Sequence, residues 1–220
     1  MSTSTTVCCG QTEIAEIDMA KPWKRTVRDS GKLTVHNGLK SGTWVHVFKP
    51  ALQLFNQLGL PVRMTEADDE QSANVVTRIA SGVAAYEYDG ATLSHAFDGT
   101  RLHGYTILIG REGQQGTEKA AVFLPSDPRS GPRFQGGKAV YDDATLDMLK
   151  VIAVHELIHA CGLENQDHAT DGGVFYFPLA PDGKGKMIVP ETGKDGRPMP
   201  PLRLGGSTTG NVARLWGGRP

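Results

Sequence analysis

Apolar residues recur every three or four positions in two segments of the chain, 44–58 and 143–162. This spacing predicts two amphipathic helices, because positions three and four apart share one face of a helix. The apolar positions of the first segment are Val45, Phe48, Leu52, Phe55 and Leu58. Pro50 lies within that segment, so the helix either kinks there or begins near Lys49 with the proline in its first turn.

The second predicted helix has clearer ends. Its apolar positions are Leu146, Leu149, Ile152, Ala153 and Leu157. Asp142 or Asp143 is suited to the N-cap, where a carboxylate accepts a hydrogen bond from a free N–H group of the first turn. Gly162 follows where the helix is expected to stop, because glycine readily adopts the left-handed conformation of a C-cap. The chain is therefore expected to turn sharply at this point.

Short runs rich in β-branched residues predict strands between and after the helices. These runs are 32–36, 62–66, 73–80, 105–109 and 119–124. Two later apolar runs flank the turn residues 181–185 and predict a hairpin at about 173–190. Residues 207–216 predict a C-terminal helix with Ser207 at its N-cap. Together these elements predict an α+β fold with a mixed β-sheet.

The distribution of elements also predicts a domain organisation. Residues 1–30 predict an irregular lead-in, and residues 31–220 predict a single domain of two lobes. The N-terminal lobe, 31–162, ends with the second helix, and the smaller lobe, 163–220, carries the hairpin. Glycine and proline are concentrated after Gly110, so loops are expected there, including residues 125–137 before the second helix.

The composition limits the classes of function. The chain has 220 residues and a formal net charge of −1, which gives no electrostatic basis for binding nucleic acid or a membrane surface. No apolar run approaches the length of a membrane span. The first residues lack a basic segment followed by an apolar block, so we expect no secretory signal, and either a cytoplasmic location or release without one. Three cysteines, two of them adjacent, do not form a disulfide framework.

The second helix carries the sequence His-Glu-Leu-Ile-His at residues 155–159. His155 and His159 are four residues apart and lie one above the other on a helix, so both imidazoles can reach one metal ion. Glu156 is adjacent to the first histidine and can take a proton from a water molecule on that metal. The pattern predicts a zinc site with Glu156 as general base. The alternative is two surface histidines on an amphipathic helix.

A third ligand is expected from the turn that follows the helix. His168 is the preferred candidate, because imidazole is a far better zinc ligand than a carboxamide. Asp167 and Asn165 are the alternatives, and a site with no third protein ligand is another.

Residues 155–162, His-Glu-x-x-His-x-x-Gly, resemble the opening motif of the metzincin zinc endopeptidases, and the chain resembles their matrixin branch in particular. Metzincins usually place a histidine, or sometimes an aspartate, three residues after the glycine. This chain has Asn165 at that position, so the expected ligand His168 is displaced by three residues.

The resemblance implies a metzincin-like fold. In such a fold an N-terminal lobe with a mixed sheet and two long helices precedes a small irregular lobe with a methionine turn and a C-terminal helix. Met199, followed by two prolines, is the expected methionine turn, and Met187 and the segment 175–178 are the alternatives. The edge strand over the cleft of metzincins pairs with an extended substrate.

Residues 92–97 resemble a matrixin segment whose histidine commonly binds a second, structural zinc ion. His95 has that position, and His103, Asp89 and Asp98 are near it in the sequence. One expectation is a second Zn²⁺ or Ca²⁺ ion at these residues. The other is that both histidines are hydrogen-bonded loop residues.

These features predict a zinc-dependent endopeptidase that hydrolyses an extended protein or peptide substrate through a zinc-activated water molecule. The alternative is a metzincin-like zinc module with weak or no catalysis and a structural or adaptor role in a larger assembly. Asn165, at the position of the usual third histidine, is the basis of that alternative.

Overall fold

A computed structural model describes residues 14–16, 22–111, 116–164, 175–176, 180–181, 187–188 and 202–217. These residues form a six-stranded mixed sheet, with helices packed on one face and a β-hairpin on the other. The predicted α+β class is confirmed. Within the described ranges, no helix is both long and apolar enough to cross a membrane.

The helices are α1 (Arg25–Ser30), α2 (Phe48–Gln57), α3 (Leu146–His159) and α4 (Gly206–Leu215), with a 3₁₀ turn at Gly42–His46. The strands are β1 (Ile14–Glu16), β2 (Lys32–His36), β3 (Arg63–Ala67), β4 (Val75–Ala80), β5 (Val83–Tyr88), β6 (Ala91–Ala96), β7 (Tyr105–Arg111), β8 (Lys119–Pro125), β9 (Arg129–Gln135), β10 (Lys138–Asp143), β11 (Phe175–Tyr176), β12 (Ala180–Pro181), β13 (Met187–Ile188) and β14 (Arg203–Leu204).

The strand order in the main sheet is β1-β7-β8-β4-β2-β3. Strands β8, β4, β2 and β3 are parallel to one another, and α2 provides the crossover from β2 to β3 that parallel pairing requires. Strand β7 is antiparallel to β8, and β1 is antiparallel to β7. The two antiparallel strands therefore form one edge of an otherwise parallel sheet.

The sheet separates two hydrophobic clusters. The larger lies between the sheet and helices α2 and α3, and includes Phe55, Leu149 and Ile158. The smaller lies on the opposite face, where the hairpin β5–β6 covers strands β4, β7 and β8. Because both faces are covered, β8 is buried along its whole length, as expected of a central strand in such a sheet.

Helix α3 begins two or three residues later than its sequence predicts. Thr145, rather than Asp142 or Asp143, is the N-cap, and its hydroxyl oxygen accepts a hydrogen bond from the Met148 N–H at 3.3 Å. Leu146 is 51% exposed and does not belong to the apolar face. Gly162 has a φ of +104°, so the sharp turn after the helix is confirmed.

Two tryptophans distant in sequence bind the carbonyl groups at the end of α3. Trp23 Nε1 donates to the Ala160 carbonyl at 2.8 Å, and Trp216 Nε1 donates to the Cys161 carbonyl at 3.0 Å. These carbonyl groups belong to the last turn of the helix, where no intrahelical partner is available. The segment before α1 and the end of α4 are thereby both attached to the residues that directly follow His159.

Several other elements agree with their predicted positions. Strand β2 has the predicted bounds, and α2 begins at Phe48 with Pro50 in its first turn. Strands β3, β4, β7 and β8 lie within one or two residues of the predicted runs. Antiparallel pairing of β12 with β13 agrees with a hairpin around residues 182–186, which lie outside the described ranges. Helix α4 is confirmed, but its N-cap is Gly205 rather than Ser207.

Other elements differ from the prediction. The lead-in of residues 1–30 contains β1 and α1 rather than irregular chain alone. The predicted loop 125–137 contains most of the hairpin β9–β10. Residues 83–96 form the hairpin β5–β6, whose turn at Asp89-Gly90 has positive φ at both residues. Asp-Gly is a typical sequence for such a two-residue turn and is a signal for this hairpin.

Candidate metal centre

Helix α3 brings His155 and His159 together at its C-terminal end. Their Nε2 atoms lie 2.9 Å apart, and their ring centroids are 4.7 Å apart. Two nitrogens bound to one tetrahedral zinc ion lie about 3.3 Å apart. The separation of the two Nε2 atoms is therefore within a few tenths of an ångström of that of two zinc-bound nitrogens, and the two imidazoles are donors that suit zinc.

The second ring nitrogen of His159 fixes the tautomer of this side chain. Its Nδ1 lies 2.8 Å from the carbonyl oxygen of Leu163, which can only accept a hydrogen bond. Nδ1 must therefore carry the proton, and the neutral ring has its lone pair on Nε2. A metal-binding histidine typically donates its other N–H to such a carbonyl group, so His159 has the tautomer of a ligand before any metal binds.

Glu156 lies on the same helix as the two histidines, and residues at the start of β7 hold its carboxylate. Its carboxylate accepts a hydrogen bond from the Thr106 hydroxyl, at 2.8 Å to Oε2, and one from the Gly104 N–H. The residue is only 5% exposed. Burial raises the pKa of the Glu156 carboxyl to about 7, and the two hydrogen bonds oppose that increase only in part. The group can therefore gain and lose a proton near neutral pH.

Gly104 is in direct contact with this carboxylate. A Cβ atom at this position would lie 2.3 Å from Glu156 Cγ and 2.7 Å from Cδ. Any residue other than glycine would consequently displace the glutamate side chain from its present position.

Replacing Gly104 with alanine is expected to lower the stability by about 1–3 kcal/mol and to impair any activity that depends on Glu156. The reason is overpacking at a buried site, because the carboxylate is held on two sides. Thermal or urea unfolding measures the effect. Gly210→Ala is the matched control, since its Cβ meets no atom within 4 Å and an alanine inside α4 should stabilise by up to about 1 kcal/mol. Equal stability of the two variants would contradict the contact with Glu156.

The predicted third ligands lie outside the described residues, and this applies to Asn165, Asp167 and His168 alike. Among the residues that the structure describes, no group of three or more His, Cys, Asp or Glu side chains is placed to hold a metal ion. The two histidines of α3 are brought together as predicted, and the choice of His168 stays a prediction.

The predicted second metal site also stays a prediction. His95 stacks on Tyr105 with ring centroids 4.2 Å apart, and His103 packs against Phe97 at 5.2 Å. Burial lowers the pKa of His103, which favours its neutral ring. Asp98 accepts hydrogen bonds from the N–H and hydroxyl of Thr100. In the described ranges, the ring contacts of the two histidines and the hydrogen bonds of Asp98 are made with other residues, Tyr105, Phe97 and Thr100.

Phe175 belongs to the segment 175–178, one of the alternatives to Met199, and its contact with His155 could not be predicted from the sequence. Its ring lies edge-on to His155, with centroids 6.4 Å apart. Strand β11, which contains it, pairs with β14, and the chain then enters α4. Phe175 therefore provides a contact between the second lobe and the histidine pair. Met199 lies outside the described residues, and Met187 lies in β13, where only the backbone is described.

Cys161 follows the histidine pair but is not suited to bind metal. It is fully buried, its Sγ donates to the Leu157 carbonyl at 3.4 Å, and burial raises its pKa far above the usual range. A thiol of this kind remains protonated, whereas metal binding requires the thiolate. We therefore assign Cys161 a structural role, in the packing at the end of α3.

The sequence matches no protein-family model and no curated protein. An assignment of function therefore depends on the geometry of the site itself.

Proposed function

We propose that the protein is a zinc-dependent endopeptidase with a metzincin-like fold. The observation that carries the proposal is the pair of Nε2 atoms of His155 and His159, 2.9 Å apart, on the helix that also holds the buried carboxylate of Glu156. His155, His159 and His168 would hold the zinc ion, with Asp167 or Asn165 as alternatives to the last. The mixed sheet, the helices α2 and α3 before the candidate site and the C-terminal helix α4 agree with what the resemblance to metzincins implies.

A bound zinc ion would activate a water molecule for attack and polarise the carbonyl group of the substrate. Glu156 would take the proton from that water and transfer it to the departing amine, which must leave as a neutral group. A general base works best when its pKa lies near the working pH, and burial brings the pKa of Glu156 to about 7. Thr106 and Gly104 orient this carboxylate by hydrogen bonds.

The position of strand β7 favours a polypeptide as the substrate. It begins beside Glu156, since Thr106 binds both the carboxylate and the main-chain carbonyl of that residue. Among the described residues, no strand pairs with residues 105–108 on the side away from β8, and an extended peptide can add to such an edge as one more strand. A peptide bound there would pass directly next to the proposed general base.

The experiment that tests the proposal combines metal analysis with digestion of casein and of a peptide library. We expect about one tightly bound zinc ion per chain and cleavage that a chelator stops. Absence of stoichiometric zinc after loading would contradict the assignment of the histidine pair.

The second candidate function is a zinc module without significant catalysis, acting as a structural or adaptor part of an assembly. The specific observation in its favour is that Glu156 is 5% exposed and hydrogen-bonded to the protein. A carboxylate held in this way can serve the packing of β7 against α3 alone. Stoichiometric zinc without cleavage of any library peptide would favour this function.

A further inference from the structure

The turn after α3 provides the hydrogen bond that orients the ring of His159. Residues 160–163 follow the helix directly, and the carbonyl oxygen of Leu163 lies 2.8 Å from His159 Nδ1. Gly162, with a φ of +104°, reverses the chain so that this carbonyl returns to the ring. The tautomer of His159 therefore depends on the position of a main-chain oxygen atom, which the conformation of the turn determines.

Two indole N–H groups hold this turn from outside the helix. Trp23 Nε1 donates to the Ala160 carbonyl at 2.8 Å, and Trp216 Nε1 donates to the Cys161 carbonyl at 3.0 Å. The two carbonyls are consecutive, and all four of these residues are buried. A buried carbonyl that lost its donor would be left unsatisfied, which is costly. The two bonds therefore favour the one conformation of the turn in which both carbonyls reach the indoles.

Arg28 joins the two segments that carry the tryptophans. Its Nε donates to the Trp23 carbonyl at 2.9 Å, and its Nη1 donates to the Leu215 carbonyl at 3.4 Å. Leu215 directly precedes Trp216 at the end of α4. The guanidinium group thus bridges the main chain of one tryptophan to the main chain next to the other. The two indoles consequently belong to one connected set of hydrogen bonds.

We infer that Trp23 and Trp216 are positioning residues of the proposed metal centre. By holding two consecutive carbonyls, they fix the turn in which the Leu163 carbonyl accepts the Nδ1 proton of His159. The lone pair on Nε2 is thereby kept available for a metal ion. This inference rests on the zinc-binding part of the proposed function and does not depend on cleavage of a peptide.

A role in packing alone makes a different prediction for the same residues. If the indoles only filled space, replacing them with smaller aromatic rings would lower the stability and leave the tautomer of His159 unchanged. If they position the turn, loss of their N–H groups would release the Leu163 carbonyl from the ring. The His159 tautomer in the metal-free protein therefore separates the two roles.

The experiment removes the indole N–H groups from the full-length protein with Trp23→Phe and Trp216→Phe, singly and together. Ring ¹⁵N chemical shifts report the His159 tautomer without metal, at a pH well above the range in which histidines ordinarily titrate, and His159→Ala assigns the signals. We expect the Nδ1–H tautomer in the unmodified protein. Both tautomers should be populated in the double variant, because a released neutral ring can carry its proton on either nitrogen.

Zinc affinity is the second measurement on the same variants, by competition with a chromophoric chelator. We expect the double variant to bind zinc about tenfold more weakly, at the lower end of the range typical of changes around a metal ligand. Each single variant should show a smaller loss in the same direction, because one of the two indoles still holds the turn.

Trp44→Phe is the matched control. The indole of Trp44 is also buried and donates to a carbonyl, but its partner is Pro125 at the end of β8, at 2.6 Å, rather than the turn after α3. This variant loses the same kind of hydrogen bond and the same ring volume. It should be destabilised to a similar extent, while the His159 tautomer and the zinc affinity stay as in the unmodified protein.

An unchanged His159 tautomer in the folded double variant would overturn the inference, and so would an equal change in Trp44→Phe. The single variants decide in the same way if the double variant does not fold. No zinc binding by the unmodified protein would overturn the inference and the proposed function together. The expected tautomer and zinc results without cleavage of any peptide would support the inference and contradict the endopeptidase alone.

Discussion

Replacing Glu156 with glutamine is expected to reduce peptide cleavage by about 10²–10⁴-fold while the protein still binds zinc. Glutamine has nearly the same shape as glutamate and can keep a contact with Thr106, but its amide cannot accept the proton of the attacking water. The carboxylate is not a proposed ligand, because the two histidines lie together at 2.9 Å without it. Initial rates with a fluorogenic peptide and zinc content by elemental analysis measure the two effects.

The same substitution is expected to change how the stability of the metal-free protein depends on pH. The folded state raises the pKa of Glu156 from 4.5 to about 7 by burial, so the unfolded chain releases this proton at a lower pH than the folded chain does. The proton on Glu156 therefore contributes about 3 kcal/mol to the free energy of unfolding. This contribution is fully present below about pH 4.5 and is lost as the pH rises through 7. Glutamine has no such proton, so Glu156→Gln should be the more stable protein at pH 8.

Glu87→Gln provides the matched control for both measurements, since Glu87 is exposed on β5 and remote from the histidines. It should leave the cleavage rate and the pH dependence unchanged. Full activity in Glu156→Gln would exclude the glutamate as general base, and loss of zinc in that variant would mean that the carboxylate binds the metal.

Replacing His159 with alanine is expected to weaken zinc binding by more than about 100-fold. Loss of a residue that only hydrogen-bonds to a metal ligand typically weakens binding by about 10–100-fold, and His159 is itself a proposed ligand. The substitution removes one of the two nitrogens that α3 provides, and it also leaves the Leu163 carbonyl without the N–H that it accepts at 2.8 Å. Because His159 is 7% exposed, a loss of stability of about 1–3 kcal/mol should accompany the loss of metal. Competition with a chromophoric chelator gives the affinity, and urea unfolding gives the stability.

His46→Ala is the control for this variant, because His46 is an exposed histidine in the 3₁₀ turn before α2. It should bind zinc as tightly as the unmodified protein. Unchanged zinc affinity in His159→Ala would remove the geometric basis of the proposed metal centre, whatever the behaviour of the other variants.

The sequence predicted the part of the site that depends on one helix. The four-residue spacing of His155 and His159 determines their common face, and the structure places their nitrogens together accordingly. The start of the helix was less predictable, because Asp142, Asp143 and Thr145 are all good N-cap residues and the strand β10 extends through the two aspartates.

The surroundings of Glu156 were not predictable, because they depend on a contact between residues 50 positions apart. Gly104 and Thr106 lie before and within β7, and nothing in their local sequence distinguishes them from other residues at the start of a strand. Their role results from the way the sheet packs on α3. Strand β1 was missed for a similar reason, since pairing of three residues with an edge strand leaves no periodicity to detect.

The two missed hairpins are a different case. Gly136-Gly137 and Asp89-Gly90 are both two-residue turn sequences, and all four residues have positive φ. Burial alternates along β5, but the apolar residues Val83 and Ala85 lie on its exposed side, so the sequence does not alternate between apolar and polar residues. In this chain the turn residues are therefore a better guide to the hairpins than the strand pattern is.

The attachment of Trp23 and Trp216 to the end of α3 provides an intrinsic optical reporter. Their indole N–H groups donate to the carbonyls of Ala160 and Cys161, the two residues that follow His159, and they are two of the three tryptophans in the chain. Indole emission depends on hydrogen bonding and on the polarity around the ring. Titration with zinc should therefore change the tryptophan fluorescence without any added dye, and the change should disappear when His159 is replaced.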